Sequence, residues 1–212
     1  MGEQRRPWVV GVSGASGTPY AAAVVRGLVE AGESVDLVVS RAARLTLLDE
    51  TGIGFRDAHW RDDLALWLGV EPKDVTYWTP GDLAAGPSSG SYPTRGMVVV
   101  PASTAAVAGI ALGLSKDLLQ RAADVTLKER RPLVVVPREA PLTAATLRHL
   151  VTLADAGAVV LPASPAFYAA PREVQQLVDF VAGKVLDALG VGHSLYRRWT
   201  GELGGARGNE GS

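Results

Sequence analysis

The sequence predicts a doubly wound α/β fold, in which helices cover both faces of a mostly parallel sheet, as in Rossmann-like and flavodoxin-like three-layer sandwiches. Short Val- and Leu-rich runs alternate with helical segments along the chain. The runs are continuous rather than alternating with polar residues, which is typical of strands buried on both faces. The chain has 212 residues, of which 47% are hydrophobic, enough for a full core. We therefore expect a single α/β domain over residues 1–200 and a disordered, glycine-rich tail over residues 201–212.

The first half of the chain predicts three strands and three helices. Thr18 is a plausible helix N-cap, Pro19 suits the first helical position and Gly32 ends the helix. The elements follow as a strand (8–13), a helix (20–31), a strand (34–39), a helix (41–50), an amphipathic helix (57–68) and a strand (75–78). The segment 79–95 is rich in glycine, proline and serine and predicts a long loop, which in a compact domain is often functional.

The second half continues the alternation and completes the predicted sheet. Its elements are a strand (96–100), a helix (104–114), a helix (118–129), a strand (133–136), a helix (143–156), a strand (158–161) and a helix (172–189). Connections between parallel strands are right-handed, so this order places helices on both faces of the sheet.

Composition argues against several classes of function. The formal net charge is −1, so no overall field would attract nucleic acid or an acidic membrane. No apolar run reaches the roughly 18 residues of a transmembrane helix, and no apolar stretch of a signal peptide follows the N-terminal arginines. The lack of cysteine argues against disulfides and thiolate chemistry and favours a cytoplasmic protein. His59, His149 and His193 lack the spacing of metal ligands, so we expect no metal site.

Ligands of such folds bind beyond the carboxyl ends of the strands, where this sequence places hydroxyls just before helices. Ser40 and Ser103 are examples. Singly each is an ordinary N-cap, but together they predict helix N-termini that converge on one edge, a site suited to phosphate. The first loop reads G-x-x-G-x-x-G from Gly11, which is neither the dinucleotide fingerprint nor a Walker A loop. Ser40-Arg41 stands where an acidic residue would bind a ribose, which favours a mononucleotide over NAD.

A second cluster is basic. Arg121 and Lys128 are seven residues apart and so share one face of a predicted helix, with Asp124 between them. A solvated helix face is the ordinary alternative for each of them. Arg138 directly follows a buried strand, which points it to the ligand edge; Glu139 is either a proton donor or acceptor, or a cap or surface acid. Two separate cationic patches match two phosphate-bearing ligands.

Several segments together carry a resemblance to a known family. They are residues 13–17 (SGASG), 89–91 (SGS), 101–104 (PAST), 121–141 (RAADVTLKERRPLVVVPREAP), 161–168 (LPASPAFY) and 179–184 (DFVAGK). They resemble the UbiX flavin prenyltransferases, over a length running from about Trp8 to Trp199. The stretch from Lys128 to Pro141 is highly specific, whereas the SGASG turn alone is not.

The resemblance implies an enzyme that joins a dimethylallyl group from dimethylallyl phosphate to N5 and C6 of reduced FMN, without a metal. FMN is thus the implied flavin, bound by the single α/β domain. The product, prenylated FMN, would serve a UbiD-type decarboxylase. The resemblance also implies a cytoplasmic homo-oligomer, a dodecamer in this family, with neither nucleic acid nor a membrane as partner.

The resemblance further assigns roles to individual residues. Those implied in catalysis are Ser16 near flavin N5, Glu50, Arg121, Lys128, Glu139 and, closing over the site, Trp199. Those implied to hold FMN are Gly14, Ala15, Ser16, Ser40, Ser103, Thr104 and Arg138. Those implied to surround dimethylallyl phosphate are Ser89, Gly90, Arg121, Lys128, Tyr168 and Lys184. For Tyr168 and Trp199, ordinary packing is the alternative.

The sequence departs from the family pattern at two places. Lys184 stands where arginine is expected, which removes a bidentate phosphate contact. Ala105-Ala106 replaces an expected Gly-Thr, and both changes leave open whether the prenyl donor is a mono- or a diphosphate. Two other functions also stay open. One is a flavin-dependent decarboxylase, although the Pro-x-Met-Asn motif of the cysteine-type enzymes is missing; the other is a non-catalytic FMN carrier.

Overall fold

A computed structural model describes residues 6–168 and 170–199 of the chain. The predicted disordered tail at 201–212 lies outside the described residues. None of the helices in the described ranges is both long and apolar enough to cross a membrane.

Six strands form one sheet in which every neighbouring pair is parallel. The strands are β1 (Trp8–Val12), β2 (Val35–Val39), β3 (Val75–Trp78), β4 (Gly96–Ala102), β5 (Leu133–Pro137) and β6 (Val159–Val160). Their spatial order is β3-β2-β1-β4-β5-β6, the doubly wound order of Rossmann-like folds. The predicted fold class is confirmed, and the order reverses between β1 and β4, where such folds bind their ligands.

Seven α-helices and two short 3₁₀ turns connect these strands in the described ranges. The helices are α1 (Thr18–Glu30), α2 (Arg41–Thr51), α3 (Trp60–Leu68), α4 (Thr104–Ala111), α5 (Leu118–Lys128), α6 (Ala144–Asp155) and α7 (Val174–Leu189). The 3₁₀ turns are Asp57–His59 and Gly86–Ser88. Two predicted elements are shorter than expected: α4 ends at Ala111, just before Gly113 with its φ of 63°, and β6 keeps two residues.

Alternate residues of the central strands pack into two hydrophobic cores, one on each face of the sheet. Val10 and Val12 pack with α1, α3 and α7 on one face, whereas Val9 and Val99 pack with α4, α5 and α6 on the other. Because both faces are covered, all five residues of β1 are buried. This burial explains why the strand has no polar alternation.

The prediction for the start of α1 was wrong. Gly17 is the N-cap, with a φ of 113° in the left-handed region, and Thr18 is already the first helical residue. The Thr18 hydroxyl does not cap the helix, because it donates to Glu50 on α2 instead. A glycine suits this position, since a side chain there would have to adopt a strained backbone conformation.

Candidate functional site

A cleft of about 380 Å³ opens at the carboxyl edge of the sheet, where the strand order reverses. It lies among the loops that follow β1, β2 and β4 and the start of α5. The polar residues of its wall are Ser13, Ser40, Arg41, Ser103, Lys116, Asp117 and Gln120, and Gly14 also lines it. The cleft therefore coincides with the edge at which the sequence predicted a phosphate site.

Two helix N-termini face this cleft, and each carries a serine cap. The Ser40 Oγ accepts from the Ala43 amide of α2 at 3.1 Å, and the Ser103 Oγ accepts from the Ala106 amide of α4 at 3.2 Å. Each hydroxyl keeps its own proton to donate to a ligand. Helix N-termini attract anions, and Arg41 adds positive charge, so the cleft wall suits a phosphate.

Ser13 joins the two loops that form the cleft, a role that the sequence did not indicate. Its hydroxyl donates to the Pro101 carbonyl at 2.8 Å and accepts from the Ser103 amide at 2.7 Å. The residue is 3% exposed. It thus fixes the end of β1 against the cap of α4. Its position directly after a buried strand was the available signal.

Gly14 and Ala15 allow the first loop to lie close to α2. A Cβ atom on Gly14 would be 2.4 Å from the Cβ of Ala42, so a side chain at this position would displace the start of the helix. Ala15 is buried beside it. Both residues were predicted to hold FMN, and the structure places Gly14 in the wall of the cleft.

Glu50, Ser16 and Arg138 come together at the start of α1. The Glu50 carboxylate accepts from the amides of Gly17 (2.7 Å) and Thr18 (2.8 Å) and from the Thr18 hydroxyl (2.6 Å). Partial burial raises the pKa of Glu50, but the hydrogen bonds from Thr18, Ser16 and the two amides outweigh it. The net pKa lies below its ordinary value. Arg138 donates from Nε to the Ser16 carbonyl at 2.9 Å.

This arrangement separates α1 from the other two helix starts. The N-terminus of α1 is already neutralised by a carboxylate of the protein, whereas those of α2 and α4 face the cleft. The Ser16 hydroxyl is hydrogen-bonded to this carboxylate, and the Ser16 carbonyl accepts from Arg138. Glu139, predicted as a proton carrier, is exposed beside Arg138, and its Oε1 accepts from the Ala140 amide at 3.0 Å.

A second cluster lies between α5 and the loop at 79–95. Arg121 donates from Nε to the Ser88 carbonyl at 3.1 Å and from Nη1 to Asp124 at 2.7 Å. The Lys128 ammonium pairs with the carboxylate of Glu129. The helix therefore presents two partly exposed cations towards the loop.

The loop brings Ser89 and Gly90 to these cations. The Ser89 and Ser91 hydroxyls are hydrogen-bonded to each other at 2.9 Å. A Cβ atom on Gly90 would come closest to the Glu129 carboxylate and would be 2.6 Å from the Lys128 Nζ, so only glycine lets the backbone come this close without displacing this ion pair. Ser89, Gly90, Arg121 and Lys128 were predicted to bind the same ligand, and the structure brings all four together.

Three further predicted residues lie on α7 or in the segments before and after it. Tyr168 meets Trp199 edge to face, with ring centroids 5.8 Å apart, and it meets Phe180 in the same way at 5.8 Å. Tyr168 is 45% and Trp199 56% exposed, which leaves aromatic faces open. Lys184 is exposed on α7. Within residues 6–168 and 170–199, no hydrogen bond or ion pair joins this group to Arg121 or Lys128.

The two departures from the family pattern also have defined places. Ala105 and Ala106 lie in the cleft wall, where the Ala106 amide donates to Ser103. A threonine hydroxyl at this point would add one more donor, which the alanine does not provide. Thr104 is the first residue of α4 and half-buried.

Comparisons with known proteins agree with this arrangement. The Flavoprotein family matches residues 1–186. A protein described as flavin prenyltransferase UbiX of Streptomyces coelicolor is 74% identical, over 95% of this chain and 98% of its own length. A solved structure of AnUbiX in complex with FMN and dimethylallyl pyrophosphate is 35% identical with a TM-score of 0.84, covering 94% of this chain and 100% of that chain. A dodecameric FMN-dependent UbiX-like decarboxylase from Escherichia coli is 38% identical with a TM-score of 0.82, covering 92% and 100%.

These relatives span nearly the whole length of the chain, and the AnUbiX structure has the same overall fold. The resemblance first suggested by the segments around residues 13–17 and 121–141 is therefore confirmed. The chain belongs to the UbiX flavin prenyltransferase family.

Proposed function

We propose that this protein transfers a dimethylallyl group from dimethylallyl phosphate to N5 and C6 of reduced FMN. The observation that carries the proposal is the presence of two different anion sites. One is the cleft of serine caps and helix N-termini, and the other is the loop facing Arg121 and Lys128. Two anionic substrates, a flavin phosphate and a prenyl phosphate, match two such sites.

The cleft fits the phosphate-bearing tail of FMN. Its donors are the hydroxyls of Ser40 and Ser103 and the first-turn amides of two helices, with Arg41 adding charge. Gly14 and Thr104 belong to the same wall or its edge, and we assign the flavin to these residues together with Ala15, Ser16 and Arg138. Reduced FMN, when bound, supplies the electron-rich N5 and C6 positions.

The loop cluster fits the phosphate of the prenyl donor. Arg121 and Lys128 would hold it by charge-assisted contacts, and Ser89 and the close backbone of Gly90 would complete its shell. Breaking the allylic C–O bond sends the electron pair to the phosphate oxygen. The two cations stabilise the negative charge that gathers there.

Aromatic side chains would stabilise the opposite charge. Loss of phosphate leaves positive character on the allylic carbon, and the half-exposed rings of Tyr168 and Trp199 offer negative faces to it. Such contacts are worth about 1–2 kcal/mol when water is excluded. Lys184, exposed on α7, would add a cation for the departing phosphate.

We assign proton transfer to the carboxylates and hydroxyls near the start of α1. The lowered pKa of Glu50 keeps it ionised at neutral pH, so it would accept rather than donate a proton, with Ser16 beside it. Glu139 is exposed and is the second candidate for proton transfer.

Assembly would complete the site. Within residues 6–168 and 170–199, no hydrogen bond or ion pair joins Tyr168, Trp199 or Lys184 to the two cations of α5. We infer a homo-oligomer, a dodecamer as in the Escherichia coli relative, with these groups meeting near subunit contacts. Exposed apolar side chains support a buried interface, among them Leu45, Leu48, Leu147 and Val151.

We further propose that the protein is cytoplasmic, binds neither nucleic acid nor membranes, and passes its product to a UbiD-type decarboxylase.

Mass spectrometry of the flavin tests the proposed function. The protein is incubated without oxygen with reduced FMN and dimethylallyl phosphate, and the flavin is expected to gain one five-carbon unit. An unchanged flavin that remains bound would instead indicate a carrier, and carbon dioxide release from a carboxylate substrate would indicate a decarboxylase. The diphosphate is offered in parallel to identify the preferred donor.

A matched pair of variants localises the activity. Lys128→Met should slow transfer by about tenfold or more, because a charged contact to phosphate is lost, while FMN binding stays intact. Lys73→Met removes the same charge from an exposed loop and should leave transfer unchanged. Equal rates in the two variants would contradict the assignment of the prenyl phosphate to this loop.

A further inference from the structure

Arg131 holds three acceptors of the loop that carries Ser89 and Gly90. Its Nη1 donates to the Tyr92 carbonyl at 2.9 Å and to the Thr94 hydroxyl at 3.0 Å. Its Nη2 donates to the Gly90 carbonyl at 2.7 Å. The planar guanidinium suits this task, since its fixed fork can reach several acceptors at once.

The backbone at Arg131 is itself fixed at the junction of α5 and β5. The Arg131 amide donates to the Thr126 carbonyl at 2.9 Å, and the Arg130 amide donates to the Leu127 carbonyl at 2.9 Å. Arg130 has a φ of 55°, the left-handed conformation that ends a helix. Because Pro132 and the buried strand β5 follow directly, the start of the Arg131 side chain has a defined position relative to α5.

The loop is thus attached at two points, one on α5 and one at the junction of α5 with β5. Arg121 binds the Ser88 carbonyl on one side of Ser89, and Arg131 binds the Gly90 carbonyl on the other. Lys128 lies on the helix between these two arginines in sequence. The distance between the loop backbone and the Lys128–Glu129 ion pair therefore depends on both attachments, and Arg131 fixes the side where Gly90 approaches this pair closely.

We propose that Arg131 is a positioning residue for the prenyl phosphate, which it orients through the loop without touching the substrate. The proposal rests on the function proposed above and assigns this residue a part in it. Three of its donor contacts go to Gly90, Tyr92 and Thr94. Loss of these contacts frees the Gly90 backbone to move away from Lys128, so the phosphate shell opens although every group that touches the phosphate is retained.

The test compares Arg131→Lys with Arg130→Lys. Lysine keeps the positive charge but cannot reach three acceptors at fixed angles. For Arg131→Lys we expect the KM for dimethylallyl phosphate to rise by about tenfold or more, a smaller change in kcat and an unchanged affinity for FMN. The inhibition constant of inorganic phosphate should rise in parallel. Arg130→Lys, the neighbouring exposed arginine, should match the wild-type protein in all four measurements.

The outcomes separate the two proposals. If the wild-type protein does not transfer the prenyl group, the proposed function fails, whatever the variants do. If the wild-type protein does transfer the group, Arg131→Lys must change the KM and the phosphate inhibition constant. Wild-type values of both constants overturn the positioning role, even if the Tm of the variant falls. Should Arg131→Lys not fold, Thr94→Val removes one of the three acceptors and should raise the same KM more weakly; an unchanged KM there overturns the proposal.

Discussion

Glu50→Gln tests whether the carboxylate at the start of α1 anchors the helix. In the protein this carboxylate accepts from two amides and from the hydroxyl of Thr18, which is 0% exposed. Glutamine keeps one acceptor oxygen but replaces the other with an NH₂ group, which cannot accept a hydrogen bond. The change also removes the negative charge from the helix N-terminus.

The size of the effect follows from these contacts. Removing a helix cap costs about 0.5–2 kcal/mol, and leaving a buried hydrogen-bonding group unpaired costs about 1–3 kcal/mol. Glutamine keeps one acceptor oxygen for the two amides and the Thr18 hydroxyl, so only part of the capping and of the pairing of Thr18 is lost. We therefore expect a loss of about 2 kcal/mol in the free energy of unfolding. For a chain of this length, about 2–4 °C of Tm corresponds to 1 kcal/mol, so the Tm should fall by about 4–8 °C.

The pH dependence identifies the carboxylate as the cause. Folding lowers the pKa of Glu50 below its ordinary value of 4.5, so its stabilising contribution is present at neutral pH and is lost as the pH falls through the folded-state pKa. The Tm difference between wild type and Glu50→Gln should therefore be full at pH 7 and narrow below about pH 4. Glu71→Gln, at an exposed acid, serves as the control. A Tm difference that is absent at pH 7, or that does not narrow in acid, would refute the anchoring role.

Three further changes probe other contacts of the site. Ser13→Ala leaves the Ser103 amide without its partner, and the Pro101 carbonyl keeps only the bond from the residue-13 amide. The change should cost about 1–3 kcal/mol in chemical denaturation, and a wild-type midpoint would contradict it. Gly90→Ala places a methyl group against the Glu129 carboxylate and the Lys128 ammonium, whose flexible ends can move aside, so the KM for dimethylallyl phosphate should rise with little change in Tm; the reverse pattern would count against the loop site. Asp187 accepts from His193, Tyr196 and Arg198, and although burial raises its pKa, these hydrogen bonds lower it to about 2. Asp187→Asn should speed hydrogen exchange at residues 193–198 at neutral pH, and unchanged exchange there would show that the carboxylate does not hold this segment.

The parts of the structure that depend on local sequence were predictable. Apolar runs such as 8–12 and 133–137 became buried parallel strands because both faces of the sheet are covered by helices. Ser40 and Ser103 became helix caps because each directly precedes a helix at the end of a strand. Such features depend on residues a few positions apart, and periodicity and capping preferences describe them well.

The parts that depend on distant contacts were not predictable. Ser13 bonds to groups 88 and 90 residues away, and Thr18 bonds to a carboxylate 32 residues away. The local sequence predicted Thr18 as the helix cap, but in the folded protein Glu50 offers a charged acceptor, which forms the stronger hydrogen bond. The attachment of the loop by Arg131 was also not predictable from the local sequence, because its three acceptors lie 37 to 41 residues earlier in the chain.

The two anion sites differ in how they are held, and the difference suits the ligands proposed for them. The cleft uses serine caps and helix ends that belong to the rigid sheet edge, so it is already formed before a flavin phosphate arrives. In the loop cluster, Arg121 and Lys128 are already paired with Asp124 and Glu129. Exposed ion pairs of this kind are worth about 0–1 kcal/mol, so exchanging a carboxylate for a phosphate costs little in either direction. A site that must release phosphate after every transfer benefits from this weak, reversible pairing. The site for the flavin tail instead needs hydrogen-bond donors at fixed positions.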